Sequence, residues 1–376
     1  MKLKTRLLKL IDATLGLLLC RVIGYWRHRS GAPEIAPTPA PASIERILVI
    51  RPGGMGDMLM LLPVLRQIKH LWPDCELAII CERRNLDVLA LFDLDHTAYA
   101  YDAHPVQLWK ALRSTRFDLC IDTEQFHNFS AVMGIASGAP VRVGYKLNPM
   151  RISLYTHLVS YDVDGYELDQ FRRLLSAVDV DPGSGSLHGA LLGNPDTTRA
   201  MPDPKLIAIA LSSMNRYKQW PFENTFTLIH TLGQRGYTVV LLGGADHTLP
   251  EAELSQITSL PHVRNRIGTC TLAQTAEALT HASVFVGCDS GLMHLSAALA
   301  RPIVALFGPS DPRKWHSPDK SSICLRLGLP CSPCSVFGYQ KLCRDVPCMR
   351  SISAETVADA IGKLLPSSSS TNTPSS

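Results

Sequence analysis

Three groups of residues in this sequence combine types and spacings that could do chemistry. The first is Arg51-Pro52-Gly53-Gly54-Met55-Gly56-Asp57. Gly53, Gly54 and Gly56 let backbone N–H groups approach a ligand closely, and the start of a helix favours anions. Asp57, near that helix start, stays ionised because the dipole favours its charge. An ionised carboxylate in a glycine-walled loop suits a general base. The same spacing fits, equally well, an aspartate that only caps its helix. A dinucleotide loop is a third reading, with Glu82 ending the next strand as the ribose acid. Against it, the glycines miss G-x-G-x-x-G and Asp57 would repel a pyrophosphate.

The second group lies in the C-terminal half. Asp289-Ser290-Gly291 opens a helix that continues Leu292-Met293-His294, so free N–H groups point at whatever sits over the strand ends. Ser212-Ser213 ends another strand, and Lys218 follows before Gln219-Trp220-Pro221. One mobile cation, hydroxyls and helix N–H groups make a metal-free diphosphate cradle. Taken singly, Asp289 reads as a cap and His294 as a satisfied core histidine. Their coincidence on strand ends is what points to a ligand.

The third group is Cys331, Cys334, Cys343 and Cys348, which has the ligand count of a four-thiolate zinc site. The spacing is irregular and lacks a second C-x-x-C, so free thiols or a disulfide stay open as alternatives. A closed four-sulfur shell leaves no position for chemistry, so such a zinc would be structural.

Positioning these groups requires strands that end at them and helices that leave from them. Arg46–Arg51 reads as a buried strand, followed by a glycine turn and a helix over Met58–Leu71. Glu76–Cys81 and Leu119–Asp122 read as further strands. The pattern weakens through 182–204 and restarts with Leu206–Leu211, Thr238–Leu242, Val284–Val286 and Ile303–Phe307, each ending in Gly, Ser or Asp. Short apolar runs alternating with helical patterns predict an α/β fold built on parallel sheets. Ligands bind at the carboxyl ends of such strands. The economical architecture is two lobes facing a central cleft, over 44–195 and 205–365.

Composition excludes other classes. The chain has 376 residues, 46% apolar and 19% charged, which is ordinary for globular protein. Its net charge of +4, with no basic block or aromatic-basic stripe, gives no footprint for nucleic acid. Eleven cysteines, many in apolar runs, predict a reducing compartment. Residues 1–30 form an amphipathic helix in which Leu7, Leu8, Ile11, Leu15, Leu18, Leu19, Val22 and Trp26 share a face. Lys9, Asp12 and Arg21 interrupt it, so no run approaches the ~20 apolar residues of a membrane span. A helix lying on an anionic leaflet fits, a helix packed on the protein's own body is the alternative, and Asp12 argues against a signal peptide. Residues 31–43 are a Pro/Ala linker and 366–376 a Ser/Thr-rich tail expected to be disordered.

The motifs I-R-P-G-G-M-G-D, K-Q-W-P, V-G-C-D-S-G-L-M-H-L and A-L-F-G-P-S-D-P, in this order from Ile47 to Pro312, resemble the ADP-heptose lipopolysaccharide heptosyltransferases. The resemblance implies a GT-B fold of two Rossmann-like doubly wound domains, the acceptor on the first and the nucleotide-sugar on the second. It implies inverting transfer of a heptose from an ADP-sugar, with no cofactor required. On it, Asp57 matches the catalytic base and Lys218 the lysine that neutralises the departing diphosphate. Ser212 and Ser213 would contact phosphate, and Asp289, Ser290, Gly291 and His294 match the donor motif. Cys270 falls beside the adenine. The ribose acid of the family is displaced: Thr248 occupies its best-matching place, with Asp246 and Glu251 nearby. The four cysteines look like those of a family subset.

For the acceptor, Arg83, Arg84, Arg142, Lys146 and Arg151 lie near predicted strand ends of the first lobe and could grip an anionic sugar-phosphate. Each reads equally as a solvated surface charge. An anionic glycolipid acceptor would account for both this basic excess and the interfacial helix, placing the enzyme on the inner face of the cytoplasmic membrane. The alternatives are a related transferase with another nucleotide-sugar or acceptor, and a non-catalytic nucleotide-sugar binding protein.

Overall fold

Arg46–Arg51 (β1) is flanked on both sides by parallel partners, Glu76–Cys81 (β2) and Leu119–Asp122 (β4). With Thr97–Ala100 (β3), Val141–Tyr145 (β5) and His157–Val159 (β6), they form a six-stranded parallel sheet ordered β3-β2-β1-β4-β5-β6. The near-continuous apolar runs of β1 and β2 are what a parallel sheet covered on both faces requires. Ile47, Leu48, Val49 and Ile50 have no exposure. Burying each such side chain contributes roughly 1.5–3 kcal/mol. One face packs Leu48, Ile50, Ile80 and Cys120 against Leu108, Leu112 and Met133 of two flanking helices.

The computed structural model describes residues 7, 9–31, 44–192, 201–211, 215–247, 249–337, 339–340, 343 and 345–365. Ser212, Ser213 and Thr248, most of the Pro/Ala segment and the tail from 366 lie outside the described residues. The chain divides into two compact units, Met1–Gly185 and Ser186–Ser376. Ser186–Leu192, on the first domain's side of the boundary read from sequence, packs with the second unit: Gly189 and Leu191 donate backbone N–H groups to the carbonyls of Ala297 and Ala298.

The second unit repeats the architecture. Asp203–Ala210 (β7), Thr238–Leu242 (β8), Val263–Asn265 (β9), Ala282–Cys288 (β10), Ile303–Leu306 (β11) and Ser322–Leu325 (β12) form a parallel sheet ordered β12-β11-β10-β7-β8-β9. Its core joins Ile207, Ile209, Val284, Val286 and Val304 to Leu228, Ile229, Val357 and Ile361 of the helices Phe222–Gln234 and Ala354–Leu364. Both sheets reverse strand order beside their first strand, between β1 and β4 and between β7 and β10. A doubly wound sheet leaves its ligand crevice at such a point, because the crossovers leave it in opposite directions.

The N-terminal helix Leu17–Arg29, entered through a π-type turn at Asp12–Gly16, lies on the first unit. Cys20, Leu19 and Ile23 pack against Ala131, Val132, Leu154 and Tyr155. Leu19, placed with the free stripe by sequence periodicity, therefore faces the body, because the helix is seated along its Gly16, Cys20 and Gly24 edge. No helix among the described residues is long and apolar enough to cross a membrane.

Candidate active site

At the β1/β4 switch point the helix Met55–Leu71 begins three residues earlier than its apolar pattern predicts, so Asp57 falls inside its first turn. The cap position is Gly54, which has no side chain to cap with. A Cβ added to Gly54 would lie 2.8 Å from Asp57 Oδ2, so this glycine leaves room for the carboxylate to fold back over the loop. The fully buried Asn85 donates from Nδ2 to the Gly53 carbonyl at 2.7 Å and pins that loop.

The Asp57 carboxylate meets Arg51, the last residue of β1, with Nη2 at 3.3 Å from Oδ2. Arg51 is almost wholly buried; Nη1 donates to the Thr123 carbonyl at 2.8 Å, and Nη2 lies 3.9 Å from Glu124 Oε2. Burial alone would push the guanidinium pKa down, but the charges of Asp57 and Glu124 outweigh it and hold the group firmly protonated. Glu124 is itself buried and Oε1 accepts the backbone N–H groups of Gln125 and Phe126, each at 3.0 Å. Burial pushes its carboxyl upward, yet the His127 ring, with Nδ1 3.1 Å away, and the Arg51 charge hold it far below the usual carboxylate range. The result is a partly exposed carboxylate held by a cation that a second, buried carboxylate anchors.

Behind it, Arg151 pairs with Asp122 at 2.6 Å, donates to the Glu124 carbonyl at 2.7 Å and reaches the Tyr155 hydroxyl. Arg151 is 2% exposed, so the expectation that it meets the acceptor is corrected: its donors are spent inside the unit. Arg142 is corrected for the same reason. It is buried on β5, and its guanidinium donates to the backbone carbonyls of Leu154 and Ala139; burial lowers its pKa to about 10. Arg83, Arg84 and Lys146 are exposed, with Arg84 2.6 Å from Glu82. Glu82 also accepts from the Tyr101 hydroxyl at 3.1 Å, so the acid that a dinucleotide loop would use for ribose is engaged elsewhere.

At the β7/β10 switch point, Lys218 closes a one-turn helix, Arg216–Lys218, started by Asn215, whose side chain accepts from the Tyr217 N–H. Its Nζ reaches Asp289 Oδ2 at 2.6 Å, just past the end of β10. Burial pushes the Asp289 carboxyl upward, but the charges of Lys218 and then His294, whose Nε2 lies 4.0 Å from Oδ1, hold it below the ordinary range. Ser290 is the N-cap of the helix Gly291–Ala298, and its side chain makes no cap hydrogen bond. The Ser290 hydroxyl is buried and hydrogen-bonds to no described residue. A buried hydroxyl left over at a helix start is a group awaiting a polar partner.

The loops after β8 and β9 pack together. Gly268 (φ +68°) donates to the Gly243 carbonyl, and a Cβ on it would meet Ala245 at 3.1 Å. This brings the loop of exposed Asp246 next to the loop that carries half-exposed Cys270 ahead of Thr271, the cap of the next helix. Glu251 starts the helix Glu251–Thr258.

The four C-terminal cysteines lie near one another: burial raises the pKa of the Cys348 thiol, and Cys334, Cys331 and Cys343 add to the rise. Cys331 and Cys343 are exposed, Cys334 is intermediate and Cys348 is buried in the core. No group of three His, Cys, Asp or Glu able to hold a metal ion occurs among the described residues. No disulfide joins any described cysteine.

Sequence reasoning found Asp57, Lys218 and Asp289 but missed Glu124, Asp122 and Glu167, the buried acids around Arg51 and Arg151. For Asp122 and Glu124 the available signal was the polar run Asp122-Thr123-Glu124-Gln125, which begins on the last residue of β4.

Residues 106–343 match the model for glycosyltransferase family 9 (heptosyltransferase). Lipopolysaccharide heptosyltransferase 3 of Escherichia coli is 24% identical over 345 residues, covering 83% of this chain and 97% of the relative. Lipopolysaccharide heptosyltransferase 2 of Salmonella typhimurium is 29% identical over 300 residues, covering 71% and 84%. The solved structure of E. coli ADP-heptose LPS heptosyltransferase II superposes with a TM-score of 0.64 at 23% identity, covering 85% of this chain and 98% of that one. That likeness identifies the pair of Rossmann-like units as the GT-B fold.

Proposed function

This chain belongs to glycosyltransferase family 9, the heptosyltransferases, and from that premise we propose that it moves a heptose from an ADP-sugar to an anionic lipopolysaccharide core acceptor with inversion. The observation that carries the reading is the pair of switch points, one bearing the half-buried Asp57 carboxylate and the other the Lys218–Asp289 pair at a helix start.

Asp57 takes the proton of the acceptor hydroxyl as its oxygen attacks the anomeric carbon. The bond from that carbon to the diphosphate breaks, its electron pair leaves on ADP, and the configuration inverts. The transition state resembles an oxocarbenium ion, with negative charge growing on the diphosphate. Lys218, the first N–H groups of the helix Gly291–Ala298 and the Ser290 hydroxyl answer that charge. Lys218 pairs with Asp289, and the diphosphate competes for it. Asp289 and His294 orient the sugar, Cys270 lies beside the base, and Asp246 and Glu251 are the acids offered to ribose. Arg83, Arg84 and Lys146 are the exposed cations left to meet the acceptor. These groups supply the countercharge without a metal.

Electrostatic donors of this kind are worth about 3–4 kcal/mol each, and a general base typically 10²–10⁴-fold. Asp57→Ala is therefore expected to keep ADP-sugar affinity, measured by calorimetry, while transfer read by product mass falls by roughly 10²–10⁴-fold. Equal loss of binding and transfer would remove Asp57 from the role of base. A zinc closing on Cys331, Cys334, Cys343 and Cys348 would have a complete sulfur shell and a structural role only; metal analysis of the purified chain tests it. With a glycolipid acceptor, the chain works in the cytoplasm on the inner face of the membrane.

A further inference from the structure

The first thirty residues hold seven Lys/Arg and one acid, Asp12: a local charge of +6 in a chain of +4, leaving −2 for the rest. The single acid is turned inward. Asp12 Oδ1 accepts from the Phe129 N–H at 2.8 Å and Oδ2 from the Asn128 N–H at 3.1 Å, while Asn128 Nδ2 donates to the Asp12 carbonyl at 3.3 Å. It thus sits at the start of the helix Asn128–Ala136, where the dipole favours a negative charge. Two close approaches seat the rest. A Cβ on Gly16 would be 2.9 Å from the Phe129 ring, and one on Gly24 would be 2.5 Å from Ser153 Oγ. Arg27 Nε donates to the Ser153 carbonyl at 3.1 Å.

With that edge committed to the body, the opposite face carries Leu7, Leu10, Leu15, Leu18, Val22, Tyr25 and Trp26, all between 45% and 64% exposed. Lys9, Arg21, His28 and Arg29 are exposed around it. An apolar stripe this long on a surface helix marks an interaction site. Its surroundings are cationic and its acid is hidden, so a second copy of the chain would bring like charges together. An anionic phospholipid surface complements both features, and Tyr25 and Trp26 are side chains that favour the water–lipid interface.

We propose that this face of the helix is a membrane-docking surface for anionic phospholipid, held on the first unit by the Asp12 clamp. The clamp fastens the docked helix to the residue that follows the Glu124–His127 turn, whose Glu124 anchors Arg51 beside Asp57. Docking therefore presents the acceptor-side loop at the bilayer, which deepens the glycolipid reading above and rests on it only for the nature of the acceptor.

The test uses the full chain and its Leu18→Gln/Val22→Gln/Trp26→Gln variant, with vesicles of phosphatidylcholine alone or mixed with phosphatidylglycerol. Flotation of the native chain with the anionic vesicles, weak flotation with phosphatidylcholine, and a roughly tenfold or greater fall in partition for the variant are the expected results. The variant's melting temperature and its transfer to a deacylated, water-soluble acceptor stay unchanged. Three results overturn the proposal: no flotation of the native chain, equal flotation of both vesicle types, or a native dimer that the substitutions dissociate with no effect on vesicles. Absence of transfer with docking intact would remove the proposed reaction and leave the docking surface standing.

Discussion

The Lys218–Asp289 pair gives a quantitative handle on the second unit. The charges are 2.6 Å apart, with the side chains 17% and 7% exposed. At an effective dielectric constant of about 20 this separation corresponds to roughly 6 kcal/mol of gross attraction. Desolvation takes back much of it, but removing one partner strands the other inside the protein. Lys218→Met leaves Asp289 buried, with the His294 ring at 4.0 Å as its remaining basic neighbour, and is expected to cost about 3 kcal/mol. Asp289→Asn costs less, about 1 kcal/mol, because Lys218 can swing toward water. The double variant should then lose about 2 kcal/mol, giving a coupling near 2 kcal/mol. Urea denaturation of the four proteins at pH 7 measures it. The folded-state pKa of Asp289 is depressed, so its contribution is fully present above the unfolded value of about 3.9 and is lost as pH falls through the folded value. The coupling must therefore shrink below about pH 4. Additive costs at pH 7, with a coupling under about 0.5 kcal/mol, would refute the assignment of these residues as a desolvated pair.

Further outcomes follow from the first unit. Gly54→Ala puts a Cβ 2.8 Å from Asp57 Oδ2; the flexible carboxylate rotates away, so transfer should fall about tenfold or more with little change in melting temperature. Arg151→Met leaves Asp122 buried without its cation and should cost about 3–5 kcal/mol, read by denaturant midpoint. The His127 pKa is raised, chiefly by its contact with Glu124, so that pairing stabilises below the unfolded value near 6.5 and fades as pH rises through the folded one. Its side chain is 42% exposed, so the effect is held to about 1 kcal/mol by screening. His127→Gln should flatten the stability profile as pH rises above about 6.5, and an unchanged profile counts against it.

The strands that carry the site were legible because parallel strands covered on both faces must be apolar: β1, β2, β4 and β8 fall where their runs do. β3, β6, β9 and β12 were not, since Thr97–Ala100, His157–Val159, Val263–Asn265 and Ser322–Leu325 are short edge strands that are not fully buried, nor was β5, whose apolar run Arg142 and Gly144 interrupt. Lys218 and Asp289 were found because both stand beside turn residues at strand ends. Glu124 and Asp122 escaped because a polar run at a strand end reads first as a solvated loop, and their partners Arg51 and Arg151 come from other parts of the chain. The same blindness put Arg142 and Arg151 on the surface: long basic side chains are usually solvated, and only the fold reveals the carbonyls that take them in. The N-terminal helix packs on the body along one edge, as one reading of its periodicity expected, and leaves the face invoked by the other reading exposed.

Trp220, two residues beyond Lys218, is buried and donates its indole N–H to the Ile352 carbonyl at 2.9 Å, and Asn224 donates to the same carbonyl at 3.0 Å. This ties assembly of the second unit to the order of synthesis. Lys218 leaves the ribosome about seventy residues before Asp289 and more than a hundred before the carbonyl that steadies its loop. Because β7 is central in its sheet and its neighbour β10 comes late, the long-range pairings must close before Lys218 can meet Asp289. The unit that carries Asp57 has by then been complete in the nascent chain since Gly185.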